Sequence, residues 1–228
     1  MREATPLSGT VVIAEDEPGL VDLYRTWLSD RHEVRTAADG REAIDRMDGD
    51  VDVALLDRRL PRRSGDDVLE WIRAHEDCRV AMVTCVAPHP DDDLPADAYL
   101  TKPVFRETLA ETVIDLLLRG RTDEDTRTLL ALVSRKLALE ESYAAPELDS
   151  HPGYAALETR IDRRLDRLGA ELRTAASRHG IEACPECGRR RGDAERVGVV
   201  ELGPAAVKCL GCGAVVRAAD PSEGSDAA

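Results

Sequence analysis

Residues 51–57, Val51-Asp52-Val53-Ala54-Leu55-Leu56-Asp57, decide how the rest of the chain is read. Apolar side chains fill this stretch almost without a break, and a carboxylate ends it. So short a run, followed at once by Arg58-Arg59-Leu60-Pro61 and Ser64-Gly65, predicts a short, buried strand. Ligands of an open parallel sheet lie outside the carboxyl ends of its strands. Asp57 is therefore predicted at such an edge, held by a rigid strand and reachable from solvent.

Working outward, the same kind of segment recurs. Thr10–Ala14, Glu33–Ala37, Arg79–Thr84 and Ala98–Thr101 read as strands. Helical spacing separates them. Leu20, Val21, Tyr24, Trp27 and Leu28 follow Pro18, which suits a first helical turn. Ala43, Ile44 and Met47 follow Asp39-Gly40. Val68, Leu69 and Ile72 lie within a helix from Gly65 to His75, and a long helix from Phe105 to Arg119 stops at Gly120. Strands alternating with helices predict an α/β fold, a doubly wound parallel five-stranded sheet over residues 9–120. One interval departs from the pattern. Ala87–Pro95 holds three prolines and three adjacent aspartates, which leave room for one helical turn at most.

A second region is expected over residues 121–180. Thr122-Asp123-Glu124-Asp125 fits a capping box, and Leu129, Leu130, Val133 and Leu137 stripe the helix that follows to about Glu141. Ala145–Gly153 reads as a linker. A further helix is predicted over about 154–179, with Leu157, Ile161, Leu165, Leu168, Leu172 and Ala175 close to a heptad seam. The seam allows either an antiparallel pair within the chain or a homodimer through this helix. Residues 181–217 form a small cysteine module, with strands expected at Val197–Leu202 and Ala205–Lys208, and 218–228 read as a disordered tail.

Composition bounds the function. Aromatic residues are only 3% of the 228, so the core must be built of Leu, Val, Ile and Ala. A net charge of −14 argues against nucleic-acid binding through the global field. Neither a signal-peptide pattern nor an apolar run near membrane-spanning length is present, which predicts a soluble, cytoplasmic protein without a membrane partner. The six cysteines follow no secreted pattern: Cys78 and Cys85 are isolated, and four fall in two tight pairs.

In a sheet of this kind the strand ends bring together Glu15, Asp16, Asp57, Thr84 and Lys102. Three carboxylates in one pocket repel one another, and a bound cation relieves the repulsion. Mg²⁺ suits the site because it takes few protein oxygens and bridges to phosphoryl oxygens. A hydroxyl and an ammonium complete a cradle for a transferred phosphoryl group. Taken singly, Thr84 is an ordinary strand threonine, Tyr99 a half-buried strand aromatic and Lys102 a surface charge; together they form a constellation.

On these residues, 10–119 resembles the receiver domain of two-component response regulators. The matching features are Glu15-Asp16, Asp57 followed by Leu60-Pro61 and Ser64-Gly65, Thr84, Tyr99, and Lys102-Pro103. The resemblance implies that Asp57 takes a phosphoryl group from a histidine kinase. It implies that Asp16, Asp57 and the backbone carbonyl of Arg59 ligate Mg²⁺, with Glu15 acting largely through water. Lys102, aimed by a cis Lys102–Pro103 bond, would pair with a phosphoryl oxygen; Thr84 would close on that group and Tyr99 turn inward behind it. The chain is then a phosphoacceptor signalling protein rather than an enzyme with an external substrate. Residues 122–175 resemble the HalX domain through Ser134–Glu140, Glu147-Leu148 and Tyr154–Ile161, a likeness that supplies no mechanism.

Cys184-Pro185-Glu186-Cys187 and Cys209-Leu210-Gly211-Cys212 are two knuckles. Their spacing lets four thiolates close on one structural Zn²⁺, as in a zinc ribbon. Two readings of the output stand side by side. In the first, phosphorylation switches the helical and cysteine regions toward an unknown protein target. In the second, the chain is a nucleic-acid-binding transcriptional regulator acting through the ribbon, where Arg189-Arg190-Arg191 could touch phosphates. Six basic against eight acidic residues in 181–228 tilt the balance toward a protein partner.

Overall fold

The computed structural model describes residues 7–85, 88–91, 96–120, 122–178, 199–203, 206–209 and 215–217. Five strands, β1 (Thr10–Ala14), β2 (Glu33–Ala37), β3 (Val53–Leu56), β4 (Arg79–Thr84) and β5 (Ala98–Thr101), form one parallel sheet in the order β2-β1-β3-β4-β5. Helices α1 (Pro18–Leu28), α2 (Gly40–Asp45), α3 (Gly65–His75) and α4 (Arg106–Arg119) complete the first region. The predicted strands and their alternation with helices are all present. Among the described residues between β4 and β5 there is no helix.

The sheet is buried on both faces because successive strand side chains point opposite ways. Val12, Ala14, Ala54, Leu56, Val80 and Met82 face the layer of α2 and α3, where Ala43, Val68, Leu69 and Ile72 meet them. Val11, Ile13, Val53, Leu55, Ala81 and Val83 face Tyr24 and Leu28 of α1 and Leu109, Val113 and Leu116 of α4. This two-sided burial explains why the central strands read as continuous apolar runs rather than as alternation.

Helices α5 (Glu124–Ser142), α6 (Ala145–Asp149) and α7 (Pro152–Arg178) follow. Lys136 lies beside Tyr154 and Glu158, whereas Asp125 meets Arg164, so α5 and α7 run antiparallel. The apolar seam of α7 is used inside the chain. Leu157, Ile161 and Leu168 are buried with Leu129, Leu130, Val133 and Leu139 of α5, and Leu165 packs against them.

Three local expectations need correction. The Ala145–Gly153 linker contains α6, because Pro146 serves its first turn instead of breaking it. The cap of α5 is Asp123, whose carboxylate accepts from the Thr126 N–H at 2.9 Å; Thr122 instead donates to the Arg119 carbonyl. In the C-terminal region β6 (Val199–Gly203), β7 (Ala206–Cys209) and β8 (Val215–Arg217) make a three-stranded antiparallel sheet, one strand more than expected. The predicted 218–228 tail lies outside the described residues.

Candidate functional site

The strand ends are tied at the edge where the ladder leaves off. The Glu15 N–H donates to Ala37 O at 3.0 Å, the Asp57 N–H to Ala14 O at 2.9 Å, and the Lys102 N–H to Thr84 O at 2.9 Å. These bonds set Glu15, Asp57, Thr84 and Lys102 at adjacent carboxyl ends of β1, β3, β4 and β5. Gly65 closes the floor. A Cβ there would collide with the Asp57 carbonyl, so no larger residue fits without moving the loop. The Gly65 N–H donates to Arg58 O at 2.9 Å, and the Ser64–Asp67 capping box starts α3 directly below.

Four of the expected side chains come together: Glu15, Asp16, Asp57 and Lys102. Lys102 Nζ donates to Glu15 Oε2 at 2.5 Å and also to Asp57 Oδ2. Asp57 Oδ1 accepts from the Arg59 N–H at 2.9 Å, and Glu15 Oε1 from the Glu17 N–H at 3.2 Å. Glu15 is 2% exposed, Thr84 4% and Asp57 8%, whereas Asp16 faces solvent. Glu15, Asp16 and Asp57 each place a carboxylate oxygen within 4.8 Å of the others. Tyr99 is half-buried against the layer that holds Leu56 and Met82. Arg59 follows Asp57 in the loop with its side chain exposed, and the Lys102–Pro103 bond is cis.

The charges compete in a way that defines the site. Burial raises the Glu15 pKa and the Asp57 charge adds to the rise, although the Lys102 ammonium opposes it. Burial disfavours the Lys102 ammonium, but its bonds to Asp57 and Glu15 outweigh that and hold its pKa above the ordinary lysine value. One ammonium is thus shared by two buried carboxylates, and a third, Asp16, stands at the solvent side. A hard divalent cation fits this donor set: oxygen ligands only, gathered from two strand ends, with one side open to water.

Of the cysteine ligands, Cys209 is buried at the end of β7, opposite Val199 of β6. Cys184, Cys187 and Cys212 lie outside the described residues. The sequence did not disclose the role of Gly65, nor that Lys102 bonds both Glu15 and Asp57. Sheet order brings Glu15, Asp57 and Lys102 together, and the sequence signal for these three was their position at strand ends.

Family models match three successive regions: a response regulator receiver domain at residues 11–114, a HalX domain at 118–183 and a Halobacterial output domain 2 at 181–225. The receiver match spans the five-stranded sheet and its helices. A protein described as a putative transcriptional regulator of Haloferax volcanii is 44% identical over 155 residues, which are 67% of this chain and 26% of that protein. The sensory transduction protein RegX3 of Mycobacterium tuberculosis is 35% identical over 121 residues, 50% of this chain and 53% of the relative. The chain therefore spans about a quarter to about half of these curated relatives. Among solved structures, a CheY-like receiver domain protein from Methanospirillum hungatei is 26% identical; the match covers 50% of this chain and 97% of that one, with a TM-score of 0.46.

Proposed function

We propose that Asp57 is a phosphoacceptor and that its phosphorylation by a histidine kinase switches the regions that follow the receiver. The observation that carries this reading is the shared ammonium of Lys102, bonded to both Asp57 and Glu15 at the edge of a three-carboxylate cluster. In the transfer, an Asp57 carboxylate oxygen attacks the phosphorus of a phosphohistidine. The new P–O bond makes an acyl phosphate, the P–N bond breaks, and the imidazole leaves as the neutral base after taking a proton. Rigid β3 holds Asp57 for in-line approach, and the Arg59 N–H on Oδ1 fixes the carboxylate plane. Lys102 neutralises charge that builds on the phosphoryl oxygens, and the Thr84 hydroxyl donates to one of them. Tyr99, packed behind, transmits the change along β5. Asp16, Asp57 and the Arg59 carbonyl would hold Mg²⁺, with Glu15 in support; when bound, the ion supplies charge neutralisation for the incoming phosphoryl group.

With Mg²⁺ and a small phosphodonor, one phosphoryl group per chain is expected, and none in Asp57→Asn, whose amide is a poor nucleophile. Labelling of that variant at the wild-type level would refute the assignment.

We further infer that Cys184, Cys187, Cys209 and Cys212 hold one structural Zn²⁺. Support comes from the paired spacing and from Cys209, buried beside the three-stranded sheet. A segment under about 40 residues rarely folds on apolar burial alone, and structural zinc typically contributes about 10–16 kcal/mol in small modules. Metal analysis should give one zinc per chain. Cys187→Ser should lose it and expose residues 199–217 to protease, while Asp57 is still labelled.

A second reading rests on the Haloferax volcanii relative, described as a transcriptional regulator. The C-terminal region would then contact nucleic acid, with Arg189-Arg190-Arg191 as the phosphate-facing residues. A DNA complex that weakens steeply as salt rises would favour it. Absence of any such complex, with capture of a protein partner by the phosphorylated form, would favour the first.

A further inference from the structure

Beyond the acidic pocket, the described residues gather one other set of metal-ligating side chains: His89, Asp91 and His151. His89 and Asp91 lie in the connection after β4, and His151 sits between α6 and α7, some sixty positions away in sequence. One ligand atom from each lies within 4.8 Å of the other two. The two rings meet edge to face with centroids 5.5 Å apart, and the Asp91 carboxylate lies near both. Its Oδ2 is 3.8 Å from His89 Nδ1, and its Oδ1 is 3.8 Å from His151 Nδ1.

That separation is too long for a hydrogen bond. It is close to the spacing across a shared ion, since ligands at about 2.0–2.2 Å around a tetrahedral centre stand about 3.4 Å apart. A movement of a few tenths of an ångström brings each of these two Asp91–histidine pairs to that spacing. Each Nδ1 accepts a long bond from a backbone N–H two residues on, Asp91 at 3.2 Å and Gly153 at 3.1 Å. Accepting such a bond uses a lone pair on Nδ1, the same donor a metal takes. An ion would draw on that lone pair more strongly than these local contacts do.

The two segments are held together without any ion. Arg135 donates from Nη2 to the Pro90 carbonyl at 2.9 Å in a buried contact. Gly153 lies so close that a Cβ there would collide with the Pro90 carbonyl and the Asp91 carboxylate. The ligands are therefore brought together by backbone packing while their side chains stay open to solvent, with 58% of His89 and 64% of Asp91 exposed.

We infer that His89, Asp91 and His151 form a binding site for a divalent transition-metal ion, with water completing the coordination. Two imidazoles and one carboxylate suit borderline ions such as Zn²⁺, Ni²⁺ or Cu²⁺ and disfavour Mg²⁺. The ion would join the connection after β4 to the start of α7, and so fix the receiver against the helical pair at the place where the sequence leaves no room for a full helix. The inference is independent of the role of Asp57.

The test uses the full chain, with excess Mg²⁺ for the carboxylate pocket and one equivalent of Zn²⁺ already bound to the cysteines. Further Zn²⁺ is then titrated while the histidine ring signals are followed by NMR. The signals of His89 and His151 should move together and saturate at one added equivalent, while those of His32 and His75 stay put. His89→Asn and His151→Asn should each weaken this binding at least about tenfold, with circular dichroism unchanged. Ring signals of His89 and His151 that do not move at millimolar zinc would overturn the site. So would a second binding event of equal affinity in wild type and both variants.

Discussion

Lys102 sets the electrostatics of the pocket because two carboxylates share it. The position was legible in the sequence as one lysine before a proline at a strand end. Its bond to Glu15 was not, since 87 residues separate the two and only the sheet order brings them together. At the opposite end of the sheet, His32 shows the reverse case. It is buried, and burial, with the nearby Arg31 charge adding to it, lowers its pKa below the ordinary 6.5. The unfolded chain then binds a proton at a pH where the folded chain does not. Stability from this residue is present above pH 6.5 and is lost as pH falls through the lower folded value. Chemical denaturation between pH 7.5 and 5 should show His32→Gln losing less stability on acidification than wild type. Parallel curves would show that His32 does not set that slope.

At the scale of elements, β1, β3 and β4 were readable because two-sided burial leaves a largely apolar run, and each helix of the first region because its apolar positions recur. The missed α6 has a local cause. Pro, Ser, His and Gly in 145–153 are turn formers, yet Pro146 is compatible with a first helical turn, and Leu148 is buried against the helical pair and holds α6 in place. The helical pair itself rests on packing. Leu139 of α5 is fully buried among Leu130, Leu148 and Leu157. Leu139→Ala should cost about 2–5 kcal/mol, read as a lowered midpoint for residues 124–168 in denaturant. At the start of α3, Ser64→Ala removes the side chain that accepts from the Asp67 N–H, at about 0.5–2 kcal/mol. A loss below a few tenths at either site would contradict the packing and capping described.

Across the whole molecule, the receiver and the C-terminal sheet meet through buried charge. Asp115 of α4 bonds Arg119 at 2.6 Å and also Lys208 of β7. Burial would raise the Asp115 carboxyl, but the Arg119 and Lys208 charges outweigh it and hold its pKa below the usual carboxylate range. Arg119 also donates to the Asp97 carbonyl and to Ser134 Oγ, so one guanidinium touches β5's entry, α4 and α5. None of this was legible, because Asp115 and Lys208 lie 93 residues apart and no local pattern pairs them. Breaking a buried pair by removing one partner typically costs about 3–5 kcal/mol. Lys208→Met should therefore speed proteolysis within 199–217 while the receiver stays protected; an unchanged digestion pattern would show the contact to be idle. The fold of the receiver and the membership of its pocket were thus readable from strand ends, whereas the joints between regions were not. The switch turns on Asp57, and the most direct measurement is chemical trapping of the acyl phosphate. Protein treated with a phosphodonor and Mg²⁺, then reduced with borohydride and digested, should carry homoserine at position 57 and nowhere else. Aspartate recovered intact at 57, or homoserine at another position, would contradict it.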